Sequence, residues 1–359
     1  MAERDPSKVD VAGSTPVSRS ISSPLRDRRT RIALLGFLIA MAVCVAIVVW
    51  LVRYQPFGPP AAHGSPLPSG EPAAAGWRPI GDAPAPRLEM ATAVFDGRIW
   101  LAGGLAPDGT VLDAVATFDP AGETWSDAPA LPVPVHHAAM ASDGERLLLV
   151  GGYAASSGAP TADAWFLLPG ATAWEPAPLL PEPRAAGAMT FDGARLVYAG
   201  GVGPGGVRSD VFVLQGDAWR RIGDLARPRE HLAATTDGAG TAWFLGGRQG
   251  GLDRNLGDAE IVSGESIELV ASLTARGGVA AFFVDGVGAC LSGGEAPSFA
   301  LAIVECVDAD GRITAMPEMT QPRHGHGAAV VGTSAYALLG GEQPGLHASS
   351  TVEALPLGD

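Results

Sequence analysis

Short apolar runs, each closed by a glycine pair, recur along the chain: IWLAGG, LLLVGG, LVYAGG, AWFLGG, ACLSGG and YALLGG. The pairs stand at Gly103-Gly104, Gly151-Gly152, Gly200-Gly201, Gly246-Gly247, Gly293-Gly294 and Gly340-Gly341, with spacings of 48, 49, 46, 47 and 47. Gly205-Gly206 and Gly277-Gly278 fall outside this phase and read as loops. Seven or eight residues upstream of most pairs lies Asp-Gly, at 96–97, 143–144, 192–193 and 285–286. Asp-Gly between apolar runs predicts a tight hairpin, because both central residues of such a turn need positive φ. A third run follows each pair (AVATFD, AWFLL, DVFVL, AEIVS, AIVECVD, TVEAL), and a fourth starts near Trp125, Trp174, Trp219, Ile267 and Ile313. One repeat is therefore a four-stranded antiparallel meander of about 47 residues.

Six second strands against five fourth strands leave one strand missing. Trp77-Arg78-Pro79-Ile80 has the fourth-strand sequence and stands 48 residues before Trp125. It is expected to complete the last repeat and close a ring, which removes the exposed sheet edges of an open array. Trp77 would then be buried between blades, where its loss would loosen the whole ring.

The combination of Pro-Arg, an apolar strand, Gly-Gly, a third strand ending in FDP and a tryptophan about six residues on resembles the kelch repeat. The first repeat carries all of it in Arg87, Gly103, Gly104, Phe118, Asp119 and Trp125. The resemblance covers roughly residues 77–357 and implies an all-β, six-bladed kelch-type β-propeller. Repeats four and five depart from it by lacking the tryptophan. A WD40 ring is the alternative, but no Trp-Asp pair closes the third strands.

Ahead of the repeats, Ile32 to Val52 is an uncharged run of 21 residues. As a helix it would span about 31 Å, the thickness of a bilayer's hydrocarbon core. Trp50 and Tyr54 suit its far interface, and Arg26, Arg28, Arg29 and Arg31 flank its near end. The positive-inside rule then leaves the N-terminus in the cytoplasm and the repeats outside the cell membrane. The expected organisation is a disordered cytoplasmic tail (1–31), one transmembrane α-helix (32–52) acting as a signal anchor, a Pro/Gly/Ala-rich linker (53–76) and the propeller (77–359).

Charge narrows the function. Gly (48) and Pro (30) are abundant, as expected of turns, and the formal net charge is −14. The tail carries seven basic and four acidic residues and Glu71 offsets Arg53, so the propeller itself holds about −17. An acidic body of this kind does not bind nucleic acid unaided. Three cysteines exclude a disulfide scaffold. Cys290 and Cys306 fall in neighbouring strands of repeat five; register decides between a disulfide and two buried thiols.

Arginines precede the first strand of five repeats, at Arg87, Arg184, Arg229, Arg276 and Arg323, while the second repeat has Val135, His136 and His137. His231, His324 and His326 share this phase. In kelch-like rings these positions lie near one mouth of the central channel. Two readings stand: a basic, imidazole-bearing rim for a carboxylate or sugar acid, or structural ties from arginine to backbone carbonyls and acids. A histidine metal site is set aside in favour of solvated strand ends, since neighbours in an extended strand point to opposite faces. No catalytic residue, metal or cofactor is assigned. The copper–radical oxidase precedent needs a tyrosine–cysteine crosslink that Tyr153, Tyr198 and Tyr336 do not offer.

The expected function is thus a membrane-anchored extracytoplasmic module that binds a protein or glycan. The uneven loops Tyr153–Asp163 and Arg248–Asp258 are its recognition elements. A sugar-acid mutarotase or epimerase, using Glu89 or Glu230 beside the histidines, is one alternative, since kelch-like sialic-acid mutarotases offer a precedent. A transmembrane sensor is the other.

Overall fold

The computed structural model describes residues 76–358. The tail, transmembrane helix and most of the linker expected from the sequence lie outside the described residues; among the described residues no helix is long and apolar enough to cross a membrane.

Among the described residues six antiparallel sheets form blades, five of four strands and one with a short fifth strand. The first blade comprises Ala91–Phe95, Arg98–Ala102, Val115–Asp119 and Thr124–Ala128. The second comprises Ala139–Ser142, Leu147–Val150, Ala164–Leu167 and Glu175–Pro176, and the third Ala188–Phe191, Leu196–Ala199, Asp210–Gln215 and Ala218–Asp224. The fourth holds Ala233–Thr236, Thr241–Leu245, Asp258–Ser263 and Ser266–Ser272. The fifth holds Gly277–Val284, Gly288–Ala296, Val304–Val307 and Ile313–Met316, with the short Phe299–Ala300 added at one end. The sixth joins Gly327–Val331, Ser334–Leu338 and Thr351–Pro356 to Arg78–Asp82, the strand expected to close the ring. Innermost strands of successive blades touch in cyclic order, the first meeting the sixth, so the fold is a closed six-bladed β-propeller.

Second strands are mostly buried, fully so in Leu147–Val150 and Leu196–Ala199, whereas fourth strands are mostly exposed. The apolar clusters lie between blades. Ile99, Leu101 and Phe118 of the first blade pack with Tyr336, Leu338 and Val352 of the sixth. Val197, Val211 and Val213 of the third pack with Phe244 and Val262 of the fourth.

The glycine pair fastens one blade to the next. Its second residue donates to the carbonyl at the start of the following repeat: Gly104 to Val135 (2.9 Å), Gly152 to Arg184 (2.7 Å), Gly201 to Arg229 (2.9 Å), Gly247 to Arg276 (2.9 Å) and Gly294 to Arg323 (2.7 Å). A Cβ on Gly246 would stand 2.9 Å from the Arg276 carbonyl oxygen, and φ is positive at both residues of that pair. The sixth pair corrects the sequence reading. Gly340 donates to Arg87 (3.0 Å), so it matches the second glycine, and Leu339, at φ 59°, takes the place of the first. Gly341 lies one step beyond the fastening.

Turn chemistry also departs from expectation. Only Asp96-Gly97 has both residues at positive φ. In the second and third blades the Asp143 and Asp192 carboxylates accept the amides two and three residues on, which stabilises longer turns.

Fourth-strand tryptophans pin adjacent blades together. The indole N–H of Trp174 donates to the Pro129 carbonyl, that of Trp219 to Pro178 and that of Trp77 to Pro317, each at the end of the preceding blade's outer strand. Trp77 also packs edge-on against Phe282 of the fifth blade. In that blade Cys290 and Cys306 are register partners, joined as a disulfide.

Candidate functional site at the axial mouth

Each crossover into an innermost strand contains one residue in the left-handed backbone region: Glu89 (φ 56°), His137 (55°), Ala186 (54°), His231 (53°), Gly278 (66°) and Gly325 (53°). Their peptide groups form a closed circle around the axis. His137 N–H donates to Glu89 (2.9 Å), Ala186 to His137 (2.9 Å), His231 to Ala186 (2.8 Å), Gly278 to His231 (3.0 Å), Gly325 to Gly278 (2.8 Å) and Glu89 back to Gly325 (2.7 Å). Below this circle runs a channel of about 810 Å³, walled by inner-strand residues such as Thr92, Met140, Thr190 and Phe283.

Side chains of the circle line a cavity of about 100 Å³ at the mouth. His137 Nε2 lies 3.2 Å from Glu89 Oε2 and 2.9 Å from His231 Nε2. His324 Nδ1 stands 3.8 Å from Glu89 and 3.6 Å from Glu295. The Glu230 carboxylate lies against His231 Nδ1 and accepts from Arg248 (3.0 Å), which also bonds Glu295 (2.6 Å). His136 meets His137 through their Nδ1 atoms and stacks on Tyr153. Adjacent histidines converge because His137 is left-handed; the opposite-face rule expected from the sequence applies only to extended strands.

Burial would raise the Glu89 carboxyl, but His137, His324 and His231 outweigh it and hold it well below the usual carboxylate range. Burial pushes His231 well below the ordinary imidazole value, with His137 adding to the effect; His137 is lowered mainly by burial as well. Burial and then His137 bring His136 down to about 4. His324 moves up despite burial, because the nearby Glu89 and Glu295 carboxylates favour the cation.

The five arginines tie the blades internally, the second of the two readings weighed for them, and Arg184, Arg229, Arg276 and Arg323 are almost wholly buried. Arg87 donates to Ala114 O (3.1 Å), and Arg184 pairs with Asp210 (2.8 Å). Arg229 pairs with Glu260 (3.0 Å), Arg276 with Glu305, and Arg323 with Glu353 (2.7 Å). These three glutamates also accept backbone amides from the connection entering their blade, at Ala226, Thr274 and Thr320. Of the histidines, His136, His137, His231 and His324 reach the mouth. His326 borders the cavity but is bonded to Ser292 Oγ (2.9 Å).

Sequence reasoning missed Tyr153, Arg248 and Glu295 as individual site residues, although Tyr153 and Arg248 begin the two loops expected to recognise a ligand. A positional signal existed, since each follows a glycine pair directly. This position pairs with the residue ahead of the circle, as in Glu230 with Arg248, Gly277 with Glu295 and His136 with Tyr153. In the first and third blades the same pairs are apolar, Leu88 with Leu105 and Ala185 with Val202.

No family model and no curated protein matches the chain. Among solved structures, that of YjhT is similar with a TM-score of 0.67 at 14% identity, covering 78% of this chain and 97% of that one. The likeness is one of fold.

Proposed function

We propose that this protein is a membrane-anchored, extracytoplasmic propeller that binds a small polar ligand, such as the end of a glycan, at its axial mouth. The carrying observation is the occupancy of the backbone circle. Its left-handed conformation suits glycine, which two blades use, yet three blades place Glu89, His137 and His231 there with their side chains gathered at the axis. Strained backbone at a cluster of polar groups points to function. A cavity of about 100 Å³ admits one polar arm of a ligand. Exposed large apolar residues, such as Leu179, Leu269, Phe299 and Ile313, are spread over several blades, which favours a small ligand over a protein partner.

An acid–base enzyme acting on a sugar acid is the second reading. It is favoured by the 3.2 Å approach of Glu89 to His137, which is within proton-transfer reach. The burial of the five arginines weakens its sugar-acid part and leaves Arg248 as the arginine beside the cluster.

A thermal-shift series of the full chain in detergent with neutral sugars and sugar acids tests both. A concentration-dependent rise that vanishes in Glu89→Gln supports the mouth as the ligand site. Turnover of a bound sugar acid that is lost in the same variant selects the enzyme. A rise that persists in Glu89→Gln moves recognition to the outer loops.

A further inference from the structure

We propose that Glu89, His137 and His231 form a binding site for one divalent late first-row metal ion of the zinc type, held through Glu89 Oε2, His137 Nε2 and His231 Nε2. The inference rests on the mouth being the ligand site and names the chemistry at its floor.

Three observations carry it. The first is donor geometry. His137 Nε2 is 3.2 Å from Glu89 Oε2 and 2.9 Å from His231 Nε2, and the three donors lie within 4.8 Å of one another. Metal–donor bonds of about 2.0–2.2 Å place cis ligands about 3.0–3.5 Å apart, so small side-chain shifts would bring all three onto one ion. Two imidazoles and one carboxylate on one side leave the remaining coordination positions open toward the cavity.

The second is support behind the ligands. Glu230 lies against the far nitrogen of His231 and is itself fixed by Arg248, which Glu295 anchors in turn. The far nitrogen of His137 meets His136. Imidazole ligands of metals have such partners on their second nitrogen, which set the ring's orientation and tautomer.

The third is rigidity. The three ligands sit on consecutive or near-consecutive members of one hydrogen-bonded circle, so their Cα positions are fixed by the closed ring and not by a loop. Gly278 and Gly325, at other members, place no side chain over the axis.

The test uses the full chain, purified in detergent without a histidine tag, stripped with chelator and dialysed. Zn²⁺ is titrated in competition with a chromophoric chelator, and Co²⁺ is followed by its visible d–d bands. One equivalent per chain is expected. His137→Ala and His231→Ala should each weaken it by more than the about 10–100-fold that loss of an outer partner costs, and Glu230→Gln should weaken it within that range. His347→Ala, at an exposed histidine outside the three-ligand set, should change nothing. Alanine already occupies this backbone position at Ala186, so both variants should melt like the metal-free parent; His137→Gln provides a bulkier alternative if they do not. Failure to take up one equivalent overturns the inference, as does parental affinity in both histidine variants. Sugar shifts that persist in stripped protein while no metal binds would remove the metal site alone. Metal uptake without any sugar shift would remove the ligand reading alone.

Discussion

The Glu89 amide donates to the Gly325 carbonyl at 2.7 Å, across 236 residues of chain, and so closes the backbone circle around the axis. The same pair shapes the mouth. A Cβ on Gly325 would come within 2.6 Å of Glu89 Cδ, at the end of a flexible side chain. Gly325→Ala should therefore displace the Glu89 carboxylate while the blade stays folded, because Ala186 tolerates the equivalent φ. Ligand affinity at the mouth should fall about 10-fold or more, and the melting temperature should move by only a few degrees. Equal losses in both would show that the glycine serves the fold alone.

Arg323 and Glu353 form a buried pair, with Arg323 also donating to the carbonyls of Leu339 and Thr351. Glu353→Ala would leave a buried guanidinium without its counter-charge and should destabilise the ring by about 3–5 kcal/mol in denaturant unfolding. Loss of ligand binding by a still-stable Arg323 variant would instead return that arginine to the mouth.

Trp77 joins the sixth blade to the fifth through its hydrogen bond to Pro317 and its contact with Phe282. Trp77→Ala should cost about 3–5 kcal/mol, and Trp77→Phe should recover most of the packing but not the roughly 1 kcal/mol of the hydrogen bond. A drop in cooperativity is also expected in Trp77→Ala, since the seam that closes the ring is the one weakened. Unchanged unfolding would show that strand pairing alone holds the closure.

Both cysteines of the disulfide are fully buried, so reductant should leave the folded chain intact and act only as it unfolds. The bridge spans a separation of 16 residues, and replacing both cysteines by serine should remove about 3 kcal/mol. Rapid reduction of the native protein, followed by mass spectrometry after thiol labelling, would contradict this burial.

Burial, then the charges of Arg323 and His324, push His326 down to about 3. Its folded value lies below its unfolded value of about 6.5, so the unfolded chain takes up the proton first as pH falls. The associated stability is fully present above pH 6.5 and is lost on descending toward 3. Between pH 7.5 and 4.5 the parent should lose about 2–3 kcal/mol more than His326→Gln, measured by urea unfolding at both values. Equal losses would place His326 in contact with solvent.

The glycine pairs made the six blades legible, because close approach to the next repeat's carbonyl and positive φ leave few alternatives to glycine. Leu339 breaks that equivalence and shifts the last pair by one residue, which hydrogen-bond register alone reveals. The closing strand was readable because Trp77 repeats the spacing of the other outer strands. The mouth was only half legible. Arginine in a repeated position served the blade, while His136 and His137 converged through a backbone conformation that residue type does not announce. Tyr153, Arg248 and Glu295 reach the mouth from a position recognisable only once the pairing beyond each glycine pair is known.

The mixed sixth blade has a consequence for biosynthesis. Arg78–Asp82 is made before every other strand of the ring, yet its partner, Thr351–Pro356, is made last. Until then the earliest strand waits with an open edge, and until Gly325 is made Glu89 has no carbonyl to receive its amide. A ring lacking the final strand would leave Arg78–Asp82 unpaired, prone to capture by other edges. The two closures are therefore successive: the circle holding Glu89, His137 and His231 waits on Gly325, and the sheet edge of the ring waits on Thr351–Pro356.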